Sequence, residues 1–240
     1  MAPLFVVCVL TSGVVLAAPD RAEAQWYVGA YLGGNYTHPA DVTIDQPAEG
    51  RALTFHDVHF DAKPLASPQY YGYRFGRMFG SARRFGVEVE LIHLKVISRT
   101  ADSYLITGRS GGATVDGVLP MDTYAQRYAM THGLNFILAN VVWRTPIRGP
   151  FAFVARGGAG PTLPHAETAI AGVSREQYEY GGMGAHAAAG IDLRLHHNWS
   201  AIAEYKLTAA HPEISIPSGT GETSALTHQV AFGLAFGRAR

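Results

Sequence analysis

Stretches of alternating apolar and polar residues, joined by connections that switch between short and long, run through this chain of 240 residues. About eight such stretches follow one another, at 26–37, 69–80, 84–98, 123–144, 151–165, 177–195, 200–212 and 224–237. Short turns rich in Gly, Pro, Asn and Ser lie at 80–83, 145–150 and 196–200. Long polar connections lie at 38–68, 99–122, 166–176 and 213–223. The two-residue period predicts antiparallel strands rather than helices.

The two faces of these strands differ in chemistry. In the stretch 84–98, Val87, Val89 and Leu91 share one face, whereas Glu88 and Glu90 share the other. A row of apolar residues can face hydrocarbon only if every backbone group is hydrogen-bonded, which for strands requires a closed barrel. Strands of about ten residues suffice to cross a bilayer, and short turns at one rim with long loops at the other are typical of outer-membrane barrels. We therefore predict an all-β fold, an eight-stranded antiparallel up-and-down transmembrane β-barrel.

The polar rows of such a barrel point inward. Eight strands enclose a space that side chains fill, and buried charges persist when they are paired. We expect an internal ion-pair network formed by the charged strand residues Arg74, Glu88, Glu90, Arg156, Asp192, Arg194, Glu204 and Lys206.

The first residues are predicted to be a secretory leader. The apolar run from Pro3 to Ala18 is short for a membrane-spanning helix, and Ala22-Glu23-Ala24 forms a small-x-small cleavage site before Gln25. This assigns 1–24 to a signal peptide and 25–240 to the barrel, integral to the bacterial outer membrane. The single cysteine, Cys8, lies in the leader, so a catalytic thiol in the mature chain is excluded.

The charge content of the chain restricts the classes of molecule that it could bind. Charged residues make up 16% of the chain and the formal net charge is zero, which argues against a nucleic-acid partner held by phosphate attraction. We expect a monomer among outer-membrane lipids. A soluble lipocalin-like barrel would show the same period, but its exterior would need more charge than the sparse polar rows supply.

Histidine is the residue type that could carry chemistry, with 11 copies in the chain. The strand period predicts that His93, His132 and His165 face outward on neighbouring strands, together with Lys95. The three histidines are the catalytic candidates, because imidazole can act as a base near neutral pH. Lys95 and Arg99 are the candidates for binding lipid phosphates. The alternative is that these residues only contact lipid head groups.

The depth of these histidines tests the grouping. A tilted strand climbs roughly 2.5 Å along the membrane normal per residue, which puts His93 about 22 Å above the short-turn rim. His132 and His165 come out above roughly 30 Å, beyond an apolar band about 25 Å tall. All three are therefore expected near the outer head groups, spread over more than about 10 Å.

A second cluster lies in the first long connection, in the segment TFHDVHFDAK. His56, Asp57 and His59 are predicted as a divalent metal site, because imidazole and carboxylate both suit such ions. Apolar residues alternate with them, however. The same segment could instead extend the barrel wall or fold over its mouth.

The mature chain resembles the small eight-stranded outer-membrane barrels, the class of the membrane domain of outer membrane protein A. More narrowly, PQYYGYR (68–74), FGVEVELIHLKV (85–96), HGLNFILANVVWR (132–144), GAGPTLPHAE (158–167) and WSAIAEYK (199–206) are similar to bacterial lipid A oxidase-like barrels. That resemblance implies an outer-leaflet enzyme that oxidises the proximal glucosamine of lipid A, in lipopolysaccharide, to an aminogluconate with molecular oxygen. It supplies no catalytic residues. A divalent metal ion is the cofactor expected to serve as redox partner.

Two other functions fit the same pattern. A non-enzymatic structural or adhesive barrel would leave lipid A unchanged and tolerate replacement of every histidine. A small-molecule pore is disfavoured, because an eight-stranded lumen filled with Arg and Glu has no open path.

Overall fold

The computed structural model describes residues 25–80, 82–196 and 198–237, so the predicted leader lies outside the described residues. Within them the strands are β1 (Gln25–Thr37), β2 (Ala40–Gln46), β3 (Arg51–Val58), β4 (Phe60–Asp61), β5 (Tyr71–Phe79), β6 (Phe85–Ser98), β7 (Ser103–Ser110), β8 (Ala113–Pro120), β9 (Ala125–Pro146), β10 (Phe151–Ile170), β11 (Val173–Tyr178), β12 (Met183–Arg194), β13 (Trp199–Ala210), β14 (Glu213–Ile216), β15 (Gly219–Thr223) and β16 (Ala225–Gly237). Two short 3-10 helices span Pro47–Glu49 and Met121–Thr123. No helix in this part of the chain is long and apolar enough to cross a membrane.

Eight of the strands close into a barrel. Each pairs antiparallel with the next in the order β1-β5-β6-β9-β10-β12-β13-β16, and β16 pairs back onto β1. These strands agree with the eight predicted stretches to within a few residues, apart from the start of β12 and the end of β10. The predicted eight-stranded antiparallel up-and-down barrel is confirmed.

The predicted division between the two faces is also confirmed. Val87 and Val89 are 52% and 55% exposed on the outer wall, whereas Glu88 and Glu90 are 3% and 0% exposed inside. The outer wall of β16 exposes Val230, Phe232, Leu234 and Phe236 in the same way. The exterior of the barrel is therefore apolar and its interior is charged.

Inside the barrel, buried cations and carboxylates pair with one another. The six members are Arg74, Arg156, Lys206, Glu88, Glu90 and Glu204. Arg74 Nη2 lies 2.8 Å from Glu90 Oε1 and 2.9 Å from Glu204 Oε1. Equal numbers of positive and negative groups balance the network, which is what burial of charge requires.

Two of the predicted members of the network lie elsewhere. Asp192 pairs with Arg144 at 3.5 Å, and Arg194 is exposed at the end of β12. Both residues are close to the short turn after β12, where the barrel interior meets solvent. His186 joins the network through Asn140, with 2.9 Å between Nε2 and the amide oxygen.

We expect no ion conductance through this barrel, because the paired side chains fill its interior. Planar-bilayer recording of the purified protein, with a porin as positive control, measures this directly. Stable channel openings at neutral pH would contradict a filled lumen.

The long connections were predicted as loops, and this was wrong for most of their length. Three of them, 38–68, 99–122 and 213–223, supply a second sheet in the order β14-β15-β2-β3-β7-β8, and the fourth, 166–176, forms the β10–β11 hairpin. Alternate residues such as Val42, Ile44, Leu53 and Phe55 are buried and continue the apolar core of the barrel's long-connection end. The core is thus charged in mid-barrel and apolar above it.

Candidate functional site

A cluster of imidazoles and carboxylates lies on the outer wall, where β9, β10 and β11 run toward the long connections. Four residues contribute one ligand-type atom each, all within 4.8 Å of one another: His132, His165, Glu167 and Glu176. Among the described residues, no other group of three or more His, Cys, Asp or Glu side chains converges in this way. We call these four residues the outer-wall cluster.

The distances within the outer-wall cluster are short. His132 Nδ1 lies 3.2 Å from Glu167 Oε1, and His165 Nδ1 lies 3.7 Å from the same oxygen. On the other side of the ring, His165 Nε2 lies 3.3 Å from Glu176 Oε1. One oxygen of Glu167 therefore faces both imidazoles, and the rings of His132 and His165 contact each other edge to face, with centroids 4.7 Å apart.

A bulge in β9 brings His132 to this position. Leu134 pairs with Pro164 and Ala129 pairs with Glu167, so five steps along β9 match three steps along β10. The extra residues include Gly133, whose φ of +102° suits glycine rather than a residue with a side chain. Bulges commonly redirect a side chain in this way.

His93 lies beside the cluster and is held by two neighbours. Its ring stacks on Tyr71, with centroids 4.6 Å apart and planes at 9°. Its Nδ1 is 2.8 Å from Asn135 Oδ1, and the Asn135 amide nitrogen donates to the carbonyls of Leu163 and His132 at 2.9 and 3.4 Å. Asn135 thus connects His93 to the bulge that carries His132.

Replacing Gly133 by alanine should destabilise the protein by about 1–3 kcal/mol, the usual cost of a strained backbone position. The new Cβ would lie 2.4 Å from His93 Nδ1 and would displace that ring. Urea unfolding in detergent measures the change. Gly117→Ala is the control, because no atom lies within 4 Å of its Cβ position; equal stability of both variants would contradict this account of the bulge.

The structure places His93, His132 and His165 on the outer wall, His132 through the β9 bulge, but the side chains of His93 and His165 are covered by neighbours. His93 and His165 are only 2% and 7% exposed. Tyr71 covers His93, and the Tyr178 ring lies 4.2 Å from that of His165, centroid to centroid. His132 is the accessible member.

Lys95 and Arg99 both have hydrogen-bond partners within the protein. Lys95 is buried and donates to the carbonyls of Ala66 and Ser67 at 3.1 and 3.2 Å, so it fixes the segment before β5 rather than facing lipid. Arg99 donates from Nε to Asp61 Oδ1 at 2.6 Å. That hydrogen bond raises the pKa of Arg99 above its usual value.

His56, Asp57 and His59 are not brought together. His56 Nδ1 is 3.2 Å from Asp41 Oδ2, and its Nε2 is 2.8 Å from Thr107 Oγ1. The ring of His59 packs instead against Tyr104. The apolar residues of the segment are buried. Its first part belongs to β3 of the second sheet, and only β4 extends the barrel wall by pairing with β6.

Several residues around the outer-wall cluster escaped the sequence analysis: Tyr71, Arg127, Asn135, Glu176 and Tyr178. The β10–β11 hairpin turns at Ala171 and Gly172, both with positive φ, and this turn pairs Glu167 with Glu176 and His165 with Tyr178. An Ala-Gly turn signal could have predicted that register. The position of Arg127 beside Glu167 follows only from the pairing of β9 with β10.

Comparison with known proteins matches no family model and no curated protein. The fold is similar to solved outer-membrane proteins. Neisserial surface protein A shows 9% identity and a TM-score of 0.41 over 88% of this chain and 96% of its own. Outer membrane protein AlkL shows 8% and 0.46 over 96% and 98%, and the outer membrane protease OmpT from Escherichia coli shows 7% and 0.44 over 88% and 96%. These likenesses are too distant to bear on function, and the fold assignment rests on the closure of the sheet itself.

Proposed function

We propose that this chain is an integral outer-membrane barrel that oxidises the proximal glucosamine of lipid A at the outer leaflet. One observation carries the proposal: histidines and carboxylates converge on the outside of the barrel, whereas the charges inside the barrel are paired with one another. A wall that only contacts lipid would be expected to carry apolar residues at these positions rather than imidazoles and carboxylates. A substrate that approaches from the membrane would meet it first.

The depth of the outer-wall cluster supports a lipid substrate. At roughly 2.5 Å per residue, His93, which lies beside the cluster, is about 22 Å above the short-turn rim. The apolar band of such barrels is about 25 Å tall. The cluster would therefore sit beside the sugar and phosphate groups of the outer leaflet, with the acyl chains against the apolar wall below.

The proposed reaction starts from a glucosamine with a free 1-hydroxyl. Oxidation breaks the O–H bond of that hydroxyl and the C1–H bond, and the two electrons pass to molecular oxygen, which becomes hydrogen peroxide. Water then opens the resulting lactone to the acid, so that the lipid gains one oxygen atom. The outer-wall cluster is proposed to receive the hydroxyl proton, and His132, its accessible imidazole, lies 3.2 Å from Glu167.

Two half-exposed arginines are the cations proposed to contact lipid phosphates. Arg127 pairs with Glu167 beside the cluster, and Arg99 pairs with Asp61 at the end of β6; their side chains are 52% and 50% exposed. Arg99 retains its predicted role in this proposal, whereas Arg127 replaces Lys95.

Mass spectrometry of lipid A tests the proposal. The protein is expressed in a host whose lipid A carries a free 1-hydroxyl, and its recovery in the outer-membrane fraction is checked by heat-modifiable gel mobility. In air we expect a gain of one oxygen that is absent from the empty-vector host and from anaerobic cultures. Unchanged lipid A in air, with folded protein in the membrane, would overturn the proposal.

A non-enzymatic adhesive barrel is the second candidate, favoured by the β7–β8 hairpin. This hairpin ends the second sheet and exposes Leu105, Val118 and Leu119. Exposed apolar side chains on an edge hairpin can form a contact surface. That function predicts unchanged lipid A, together with loss of cell adherence when the three residues are replaced by serine.

A further inference from the structure

We propose that the outer-wall cluster binds one divalent first-row transition-metal ion, with His132, His165 and Glu167 as its ligands. The binding itself is argued from geometry alone, whereas the use of the ion in lipid oxidation rests on the proposed function. Glu176 is assigned to the far nitrogen of His165, where it holds the ring in place.

The distances fit an ion at the centre. Metal bonds to imidazole nitrogen and carboxylate oxygen are about 2.0–2.2 Å, so two ligand atoms at tetrahedral angles lie about 3.4 Å apart. The separations from Glu167 Oε1 to the Nδ1 atoms of His132 and His165 are 3.2 and 3.7 Å. Small side-chain movements would bring all three atoms into contact with one ion.

The His165 Nδ1 atom gives an independent indication. It is buried and has no hydrogen-bond partner, because the 3.7 Å to Glu167 Oε1 exceeds hydrogen-bond distance. A buried polar atom without a partner is costly. A metal ion between this nitrogen and the carboxylate would satisfy both atoms.

The surroundings hold the ligands as metal sites usually do. Arg127 binds the second oxygen of Glu167, which leaves Oε1 free for the ion. The carboxylate of Glu176 faces His165 Nε2 at 3.3 Å, the arrangement that fixes the tautomer and orientation of a ligating histidine. Tyr178 packs against the same ring.

Three ligands leave coordination positions open. Two histidines and one carboxylate on one side of an ion are the ligand set of non-haem iron(II) sites that react with oxygen, and His₂Glu also binds catalytic zinc. His132 and Glu176 are exposed, so a substrate or water could reach the open side. The ligand set therefore favours iron(II), zinc or cobalt(II) over calcium or magnesium.

Titration of the refolded protein in detergent micelles tests the site. The probes are Zn²⁺ by calorimetry and Co²⁺ by visible absorption, after removal of bound metal with a chelator. We expect one ion per chain, and loss of binding in His132→Ala and Glu167→Gln. Glu176→Gln should weaken binding by about 10–100-fold, as expected for a residue that orients a ligand.

His211→Ala is the matched control, because His211 also faces a carboxylate, Glu222 at 3.4 Å, but belongs to no converging group. Its affinity should equal that of the wild type. Absence of stoichiometric binding, or binding unchanged in His132→Ala and Glu167→Gln, would overturn the inference. Metal binding without lipid oxidation would leave this inference standing and refute the proposed function. Oxidation by metal-free protein would support the proposed function and overturn the use of the ion in that reaction.

Discussion

Replacing His132 by alanine is expected to abolish the gain of one oxygen in lipid A, lowering the product by at least about 100-fold, the lower end of what proton transfer to a positioned group contributes. His132 is the accessible imidazole of the outer-wall cluster, and its side chain is 52% exposed. The variant should therefore fold and insert like the wild type. Lipid A mass spectra from matched cultures, normalised to folded protein in the outer membrane, measure the effect.

The control for this prediction is again His211→Ala, which should leave the product unchanged. His165→Ala removes the second imidazole and is also expected to abolish the product. If oxidation survives both His132→Ala and His165→Ala, the lipid A activity stands but the outer-wall cluster is not its site.

Replacing Arg74 by leucine is expected to destabilise the barrel by about 3–5 kcal/mol, the usual cost of breaking a buried ion pair. Arg74 contacts Glu90 and Glu204 inside the barrel, and all three side chains are fully buried. The change would leave both carboxylates with fewer cations in the buried interior of the barrel. Urea unfolding in detergent micelles, followed by heat-modifiable mobility, measures the loss.

A second variant separates charge from packing. Adding Glu204→Gln to Arg74→Leu removes one of the stranded charges, and part of the lost stability should return. Arg99→Leu, at an exposed ion pair with Asp61, should change stability little. If Arg74→Leu proves no more destabilising than Arg99→Leu, the interior network does not stabilise the barrel as described.

Much of the barrel could be predicted from the sequence because its wall separates two environments. Residues such as Val87 and Glu88 must face opposite sides, and a one-residue shift would reverse every side chain. The second sheet was missed although β2 and β3 bury alternate residues. Those strands lie in segments rich in Asp, Gly and Pro. This composition is typical of loops, and the segments were interpreted as loops in spite of their alternating apolar residues.

The sequence predicted which histidines belong to the candidate site but not how they come together. The strand period assigned His93, His132 and His165 to the outer wall, but their convergence depends on the β9 bulge and on the β10–β11 register. The predicted role of Lys95 in binding lipid phosphates could not be checked from the sequence, because its carbonyl partners lie about thirty residues earlier in the chain. No local pattern in the sequence specifies such a long-range contact.

The most direct test of the central claim uses the purified protein in micelles with lipid A that carries a free 1-hydroxyl. In air, we expect the product with one added oxygen atom and one molecule of hydrogen peroxide for each molecule of product. The His132→Ala protein should form neither. Unmodified lipid A and no peroxide from folded, metal-supplemented wild-type protein would contradict the assignment of this barrel as a lipid A oxidase.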